Sequence, residues 1–190
     1  MALTTLTNLK AFKNLTASDH DAELLRLMPT VDGFIESYCN QELEQATVTE
    51  YQSGRSRQTL LRLRRYPVLS ITSIHDDVDR LYGSDTLLAA TDYVLTDANA
   101  GLVTLDGVTF NEGLNNIKIL YLAGYAAGSK ERALLEQAAV ELVWLARDKG
   151  DKALLGLQSR SVADGSVSTF QTDWPAGVKE ILNLFRKWDH

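Results

Sequence analysis

Thr59-Leu60-Leu61-Arg62-Leu63-Arg64-Arg65-Tyr66-Pro67-Val68-Leu69-Ser70-Ile71-Thr72-Ser73-Ile74 is the stretch on which the fold turns. Leu61 and Leu63 alternate with Arg62 and Arg64, the period of a strand with one dry face and one wet face. Tyr66-Pro67-Val68 follows, and proline suits a strand edge or start because it cannot donate to a ladder. From Leu69 the alternation resumes, with Leu69 and Ile71 on one face and Ser70 and Thr72 on the other. The region therefore reads as short strands.

The same period extends in both directions. Thr47-Val48-Thr49-Glu50-Tyr51 alternates upstream, and Ser53-Gly54 predicts a turn. Downstream, Asp92–Thr96, Leu102–Leu105 and Asn116–Leu122 supply further short strands, with Gly101, Gly107, Gly113 and Gly124 where turns are needed. Beyond these limits the period becomes helical. Thr4 and Thr5 can cap a short helix carrying Leu6, Leu9 and Phe12. Ser18-Asp19 opens a longer one along Leu24, Leu25, Met28, Val31, Ile35, Tyr38 and Cys39, in which Pro29 predicts a kink or a break. Ser129 caps a helix with Leu135, Ala138, Leu142 and Leu145 in a stripe, and Gly150 is its natural stop.

Residues 151–172 are rich in Ser and Gly, and Leu154, Leu157, Val162, Val167 and Phe170 keep no sustained period. A connection this long reads as an extended arm. Asp173-Trp174-Pro175 then starts a last helix with Val178, Ile181, Leu182, Phe185 and Trp188 on one face. The expected class is α+β within a single subunit spanning 1–190. Its helical core combines N-terminal helices (1–44) with two C-terminal helices (126–150 and 173–190). A β-rich insertion of short antiparallel strands occupies 45–125, and the Ser/Gly-rich arm occupies 151–172.

Composition narrows the function. Of 190 residues, 25 are acidic and 19 basic, giving a net charge of −6. A sequence-independent DNA binder needs basic excess to neutralise phosphates, so the balance argues against that role. The single cysteine, Cys39, permits no intramolecular disulfide. The N-terminus carries neither a basic region nor an apolar core of a signal peptide, and no apolar run spans a bilayer. Synthesis in the cytoplasm and no membrane association are the expectation.

Catalytic patterns are missing: no Gly-x-Ser-x-Gly, no phosphate-binding glycine loop, no His-Glu-x-x-His. His20, His75 and His190 sit at no metal-ligand spacing with Cys39, which reads as a small buried hydrophobe. The cluster His75-Asp76-Asp77-Val78-Asp79 could suit a hard cation, but it lacks the glycine and distal glutamate of a calcium loop and reads as a solvated turn. The run Arg55, Arg57, Arg62, Arg64, Arg65 could bind phosphate or carboxylate groups, yet a solvated or charge-protected edge explains it as well. Neither enzyme activity nor cofactor nor metal is expected.

The ordered elements resemble a known family. Leu3-Thr4-Thr5-Leu6-Thr7-Asn8-Leu9-Lys10-Ala11-Phe12 and Ile35-Glu36-Ser37-Tyr38-Cys39 look like the opening of tailed-bacteriophage head–tail connector (adaptor) proteins. Tyr66-Pro67-Val68-x-Ser70-Ile71, Gly101-x-Val103-x-Leu105 and Asn116-Ile117-Lys118-Ile119-x-Tyr121-x-Ala123-Gly124-Tyr125 continue the likeness. Gly156–Ser168 and Val178-x-x-Ile181-Leu182-x-x-Phe185-Arg186 complete it, whereas Arg80–Thr91 has no close counterpart.

The resemblance implies a virion protein of the head–tail neck, a ring of about twelve copies whose closure needs two different complementary patches on each subunit. Its partners would be the portal protein, further copies of itself, and a tail or stopper (tail-completion) protein, with DNA passing through the channel unbound. The residues expected at such contacts are Ser159, Arg160, Ser161, Asp164 and Phe170 in the arm and Ile181, Phe185 and Trp188 in the last helix. Arg62 and Arg64 are expected to form ion pairs between subunits. The alternatives are a tail-completion or stopper protein of the same neck, and a DNA-packaging accessory protein using the arginine run.

Overall fold

The hydroxyl of Thr5 accepts the backbone N–H of Asn8 at 3.2 Å and so caps the first helix, α1 (Leu6–Phe12). The coordinates are a computed structural model, in which residues 3–149, 157–162, 165–170 and 174–187 are described. The chain divides into two compact units, residues 1–42 with 127–190, and Leu43–Ala126.

In the first unit, α2 (Asp21–Cys39) starts with Asp21 and Glu23 in its first turn, where the helix dipole favours negative charge. It buries Leu24, Leu27, Met28, Val31, Ile35 and Cys39. The break expected at Pro29 does not occur, and one helix runs through it. Pro29 removes a hydrogen bond to the carbonyl of Leu25, but both residues are exposed, so water can take that carbonyl. Burial of Leu24, Met28 and Val31 on either side holds the helix together; each fully buried aliphatic side chain contributes roughly 1.5–3 kcal/mol.

The hydroxyl of Ser129 accepts the N–H of Arg132 at 3.1 Å and opens α3 (Lys130–Lys149). This helix buries far more than one stripe: Leu135, Ala138, Ala139, Val140, Leu142, Val143, Trp144 and Ala146 are all inside. Trp144 donates from its indole nitrogen to the carbonyl of Leu9 at 3.2 Å, tying α3 to α1. The stop expected at Gly150 lies outside the described residues. Within the arm, β7 (Leu157–Val162) and β8 (Gly165–Phe170) pair antiparallel, from Leu157↔Phe170 to Val162↔Gly165. Serine-rich strands carry no apolar alternation, which is why the sequence reads there as irregular. The final helix is α4 (Ala176–Leu184).

The second unit holds β1 (Ala46–Gly54), β2 (Leu60–Arg62), β3 (Val68–Asp76), β4 (Tyr93–Asp97), β5 (Leu102–Leu105) and β6 (Gly113–Ala123). They form two antiparallel sheets, ordered β1-β6-β3 and β2-β5-β4. Leu61, Leu63, Val68, Ile74, Val103, Phe110, Ile117, Ile119 and Tyr121 make one core shared by both. The turn expected at Ser53-Gly54 lies later, where the N–H of Gln58 meets the carbonyl of Arg55 at 3.0 Å; β1 continues through Gly54. A Cβ at Gly54 would stand 2.1 Å from the carbonyl oxygen of Asn111, so close backbone approach demands glycine. Where the unit begins and ends, Tyr125 donates its N–H to the carbonyl of Leu43 at 3.0 Å, beside the bridge Glu44↔Tyr125. The α+β class, with a helical core and an insertion of short antiparallel strands, is the one expected.

Candidate assembly surfaces

Two members of the acidic cluster, Asp76 and Asp77, are built into the fold, whereas Val78 and Asp79 are exposed in the turn that follows. Asp76 accepts from the backbone and side-chain nitrogens of Asn111 at 2.7 and 3.1 Å, and from the side chain of Asn116 at 2.8 Å. Asp77 is buried and takes the N–H groups of Asp79, Leu81 and Tyr82 at 2.9, 2.9 and 2.6 Å. Burial works to raise the pKa of its carboxyl, but the surrounding backbone N–H groups outweigh it and hold the carboxyl below its ordinary value. Among the described residues, no group of three or more His, Cys, Asp or Glu could hold a metal ion.

The arginine run is dispersed. Arg55 and Arg57 are exposed in the turn after β1. Arg62 is exposed on the outer face of β2. The Arg64 guanidinium, 81% exposed, lies 3.5 Å from the buried carboxylate of Glu50, and its backbone N–H donates to the same group at 3.0 Å. Arg65 donates from its guanidinium to the carbonyl of Glu44 and from its backbone N–H to the Tyr121 hydroxyl at 3.2 Å. Two of the five arginines thus serve contacts inside the β-rich unit, and alternation alone could not reveal this because Glu50 and Tyr121 lie on other strands.

In the helical unit, Val178, Leu182 and Phe185 are buried and Ile181 is half-buried. Trp174 stands edge-on to Phe34 and Tyr38, each at 4.9 Å between ring centroids. Tyr38 donates to Asn183 at 2.7 Å and Gln41 to the carbonyl of Phe185 at 2.6 Å. The apolar stripe of α4, Phe185 included, is therefore spent on packing within the helical unit, against α3 and α2, and Leu184 is what it exposes, at 73%. Cys39 is buried beneath it, and burial pushes its thiol up to about 12. Ser159, Arg160 and Ser161 fall on β7 and Phe170 on β8, whereas Asp164 and Trp188 lie outside the described residues.

Sequence reading misses several exposed apolar side chains: Leu81 in a loop, Leu114 at the start of β6, and Leu60 and Val94 on β2 and β4. Leu81 interrupts a polar loop singly, and Leu114 stands alone among Gly113, Asn115 and Asn116, so neither leaves a periodic signal. No helix among the described residues is long and apolar enough to cross a membrane.

The chain belongs to the head completion protein family, which it matches over residues 2–188. No curated protein matches it. Its fold is similar to that of a chain in the neck of an empty GTA particle computed with C6 symmetry, at 16% identity and TM-score 0.60, covering 97% of this chain and 89% of that one. It is also similar to a chain in the neck of the native GTA particle computed with C12 symmetry, at 18% identity and TM-score 0.57, covering 100% and 96%. A third likeness is to a chain of the virion of a native gene transfer agent (GTA) particle, at 19% identity and TM-score 0.57, covering 94% and 83%.

Proposed function

We propose that this chain is a structural head–tail connector (adaptor) subunit of the virion neck. It assembles as a ring, a dodecamer in this reading, beneath the portal, where it lengthens the DNA channel and offers the tail its docking site. The observation that carries the reading is the match to the head completion family along nearly the whole chain. The shared fold with neck chains, one of them in a particle treated with C12 symmetry, supports the ring. A net charge of −6 suits a channel wall, because like charge keeps phosphates from adhering. The role is one of assembly without catalysis.

The β7–β8 hairpin is the segment proposed to contact the portal or a neighbouring subunit. A lone two-stranded hairpin is marginal in water, so docking on a partner would complete it. Ile181 and Leu184 on α4 are proposed to lie at the same contact. Deleting residues 157–170 leaves the sequence of α4 intact, so their removal is the cleaner probe.

Mass photometry of the protein mixed with portal rings of the same phage tests the reading. An added mass of one subunit per portal subunit is expected, and lost when residues 157–170 are deleted. No added mass on an intact portal would overturn the adaptor role, leaving a stopper or tail-completion position further down the neck. A steep fall in DNA affinity with salt would favour the packaging accessory instead.

A further inference from the structure

The loop after β3 holds an apolar side chain in water by force of its backbone. Arg80 and Tyr82 are both left-handed, with φ of 62° and 53°, as is Asn115 at 53° near the start of the neighbouring β6. Residues with side chains adopt this region only when their surroundings compel it. Here the buried Asp77 carboxylate receives three N–H groups from the loop. The ring of Tyr82 lies 5.5 Å from that of Tyr51 and 5.3 Å from the Lys118 ammonium, while its hydroxyl donates to the carbonyl of Asn115 at 2.6 Å. Pinned between the two left-handed residues, Leu81 is 82% exposed; beside Asn115, Leu114 is 71% exposed. Asp79 is exposed on the same loop, and its carboxylate has no partner among the described residues.

The outer face of β2-β5-β4 is a second and different patch in the same unit. Alternation sends Leu61 and Val103 inward and leaves Leu60 and Val94 49% and 56% exposed. Register aligns them in one row across the sheet, Leu60↔Thr104 and Val94↔Thr104. Arg62, next on that face of β2, is exposed and its guanidinium has no partner among the described residues.

We propose that Leu81 and Leu114 of one subunit pack on the Leu60–Thr104–Val94 row of the next, with Asp79 pairing with Arg62 across the junction. The proposal rests on the ring reading above. A head-to-tail contact joins two unlike patches and can close a ring. A two-fold contact would make the Asp79–Arg62 pair twice and stop at a dimer, whereas the head-to-tail contact makes it once per junction and continues from subunit to subunit, so a ladder beyond the dimer is what marks it. The pre-formed loop explains the strain: an anchor ordered before docking forfeits little entropy when it seats.

The test uses the full-length chain carrying both Asp79→Cys and Arg62→Cys, assembled alone at high concentration and on portal rings, then treated with a short bis-maleimide. A ladder of covalent oligomers is expected from the double variant and not from either single one. Cys39 adds no background, because its buried thiol does not reach the reagent. In parallel, Asp79→Arg and Arg62→Asp should each lower assembly about tenfold, the loss of one desolvated pair, and the double reversal should restore it. Both positions are exposed, so circular dichroism should be unchanged throughout. Rings of normal mass with no ladder and no effect of charge reversal would overturn this contact and leave the ring reading standing. Wild-type protein that stays monomeric alone and with the portal would overturn the ring reading, and this contact with it.

Discussion

The hydroxyl of Tyr121 donates a 2.8 Å hydrogen bond to a carboxylate oxygen of Glu50, and both side chains are buried in the β-rich unit. The same carboxylate takes the backbone N–H of Arg64 at 3.0 Å and the side-chain amide of Gln52 at 2.7 Å. A charge out of water is tolerable only when its lone pairs are met in this way. The pair joins β1 to β6 and fastens the connection between β2 and β3 to both.

Glu50→Ala should therefore be costly, since it strands three donors at once. We expect a loss of about 3 kcal/mol in urea unfolding, against about 1–2 kcal/mol for Tyr121→Phe. Burial, with the hydrogen bond to Glu50 and its charge behind it, pushes the Tyr121 hydroxyl well above the ordinary tyrosine range. The unfolded chain then ionises first as pH rises above about 10, so stability falls on that alkaline limb. Tyr121→Phe should flatten it.

Asp32 behaves oppositely to an ordinary carboxylate. Burial pushes its pKa up to about 6, against the pull of the Leu3 N–H and the Arg132 charge and with the help of Glu36. One of its oxygens accepts from Leu3 at 3.2 Å and the other is buried without a hydrogen bond. A raised pKa means that the native state holds its proton longer, so this contribution is complete below about pH 4 and is lost as pH rises through 6. Melting temperature should climb between pH 7.5 and pH 5, and Asp32→Asn should remove that climb while being neutral or stabilising at pH 7.5.

Asp77 has the opposite sign. Its lowered pKa makes its contribution present above about pH 4 and lost as pH falls through its folded value. Asp77→Ala should free the backbone of the loop, and hydrogen exchange at the amides of Leu81 and Tyr82 should accelerate by about tenfold or more. Unchanged exchange at these two amides would mean that the carboxylate does not hold the loop.

Gly54→Ala should destabilise the β-rich unit by about 2–3 kcal/mol, because the added methyl would meet a backbone carbonyl that cannot rotate aside. Gly33→Ala offers a control: nothing stands within 4 Å of its Cβ position in α2, and alanine is the better helix former. Urea midpoints of the two variants should move in opposite directions.

What was legible in the sequence is what depends on near neighbours. The Thr5 and Ser129 caps, the alternation of Leu61 and Leu63, and the glycine-marked corners all announce themselves within a few residues. At Pro29, of the kink or break that the sequence suggests, the break is overridden by burial against other helices, which local sequence does not show. Asp76 reads as solvated because its partners are elsewhere, Asn116 being 40 positions away, and Asp77 because its partners, though near, are backbone N–H groups that no residue type announces. Glu50 and Tyr121 are 71 positions apart. For the surfaces, exposed strand positions such as Arg62 follow from alternation. Leu81 does not, since its exposure is fixed by the φ angles of its neighbours and by a carboxylate four residues back.

The hydrogen bond between Leu43 and Tyr125 has a consequence for how such a protein can change. It brings the entrance and exit of the insertion to one point, so the strands leave and rejoin the helical chain at adjacent positions. A segment attached in this way is a cassette. It can be lengthened, trimmed or exchanged with little demand on the helices that carry it, because the gap left behind needs only a short bridge. The two halves of the sequence can then diverge at different rates, each answering to its own partner.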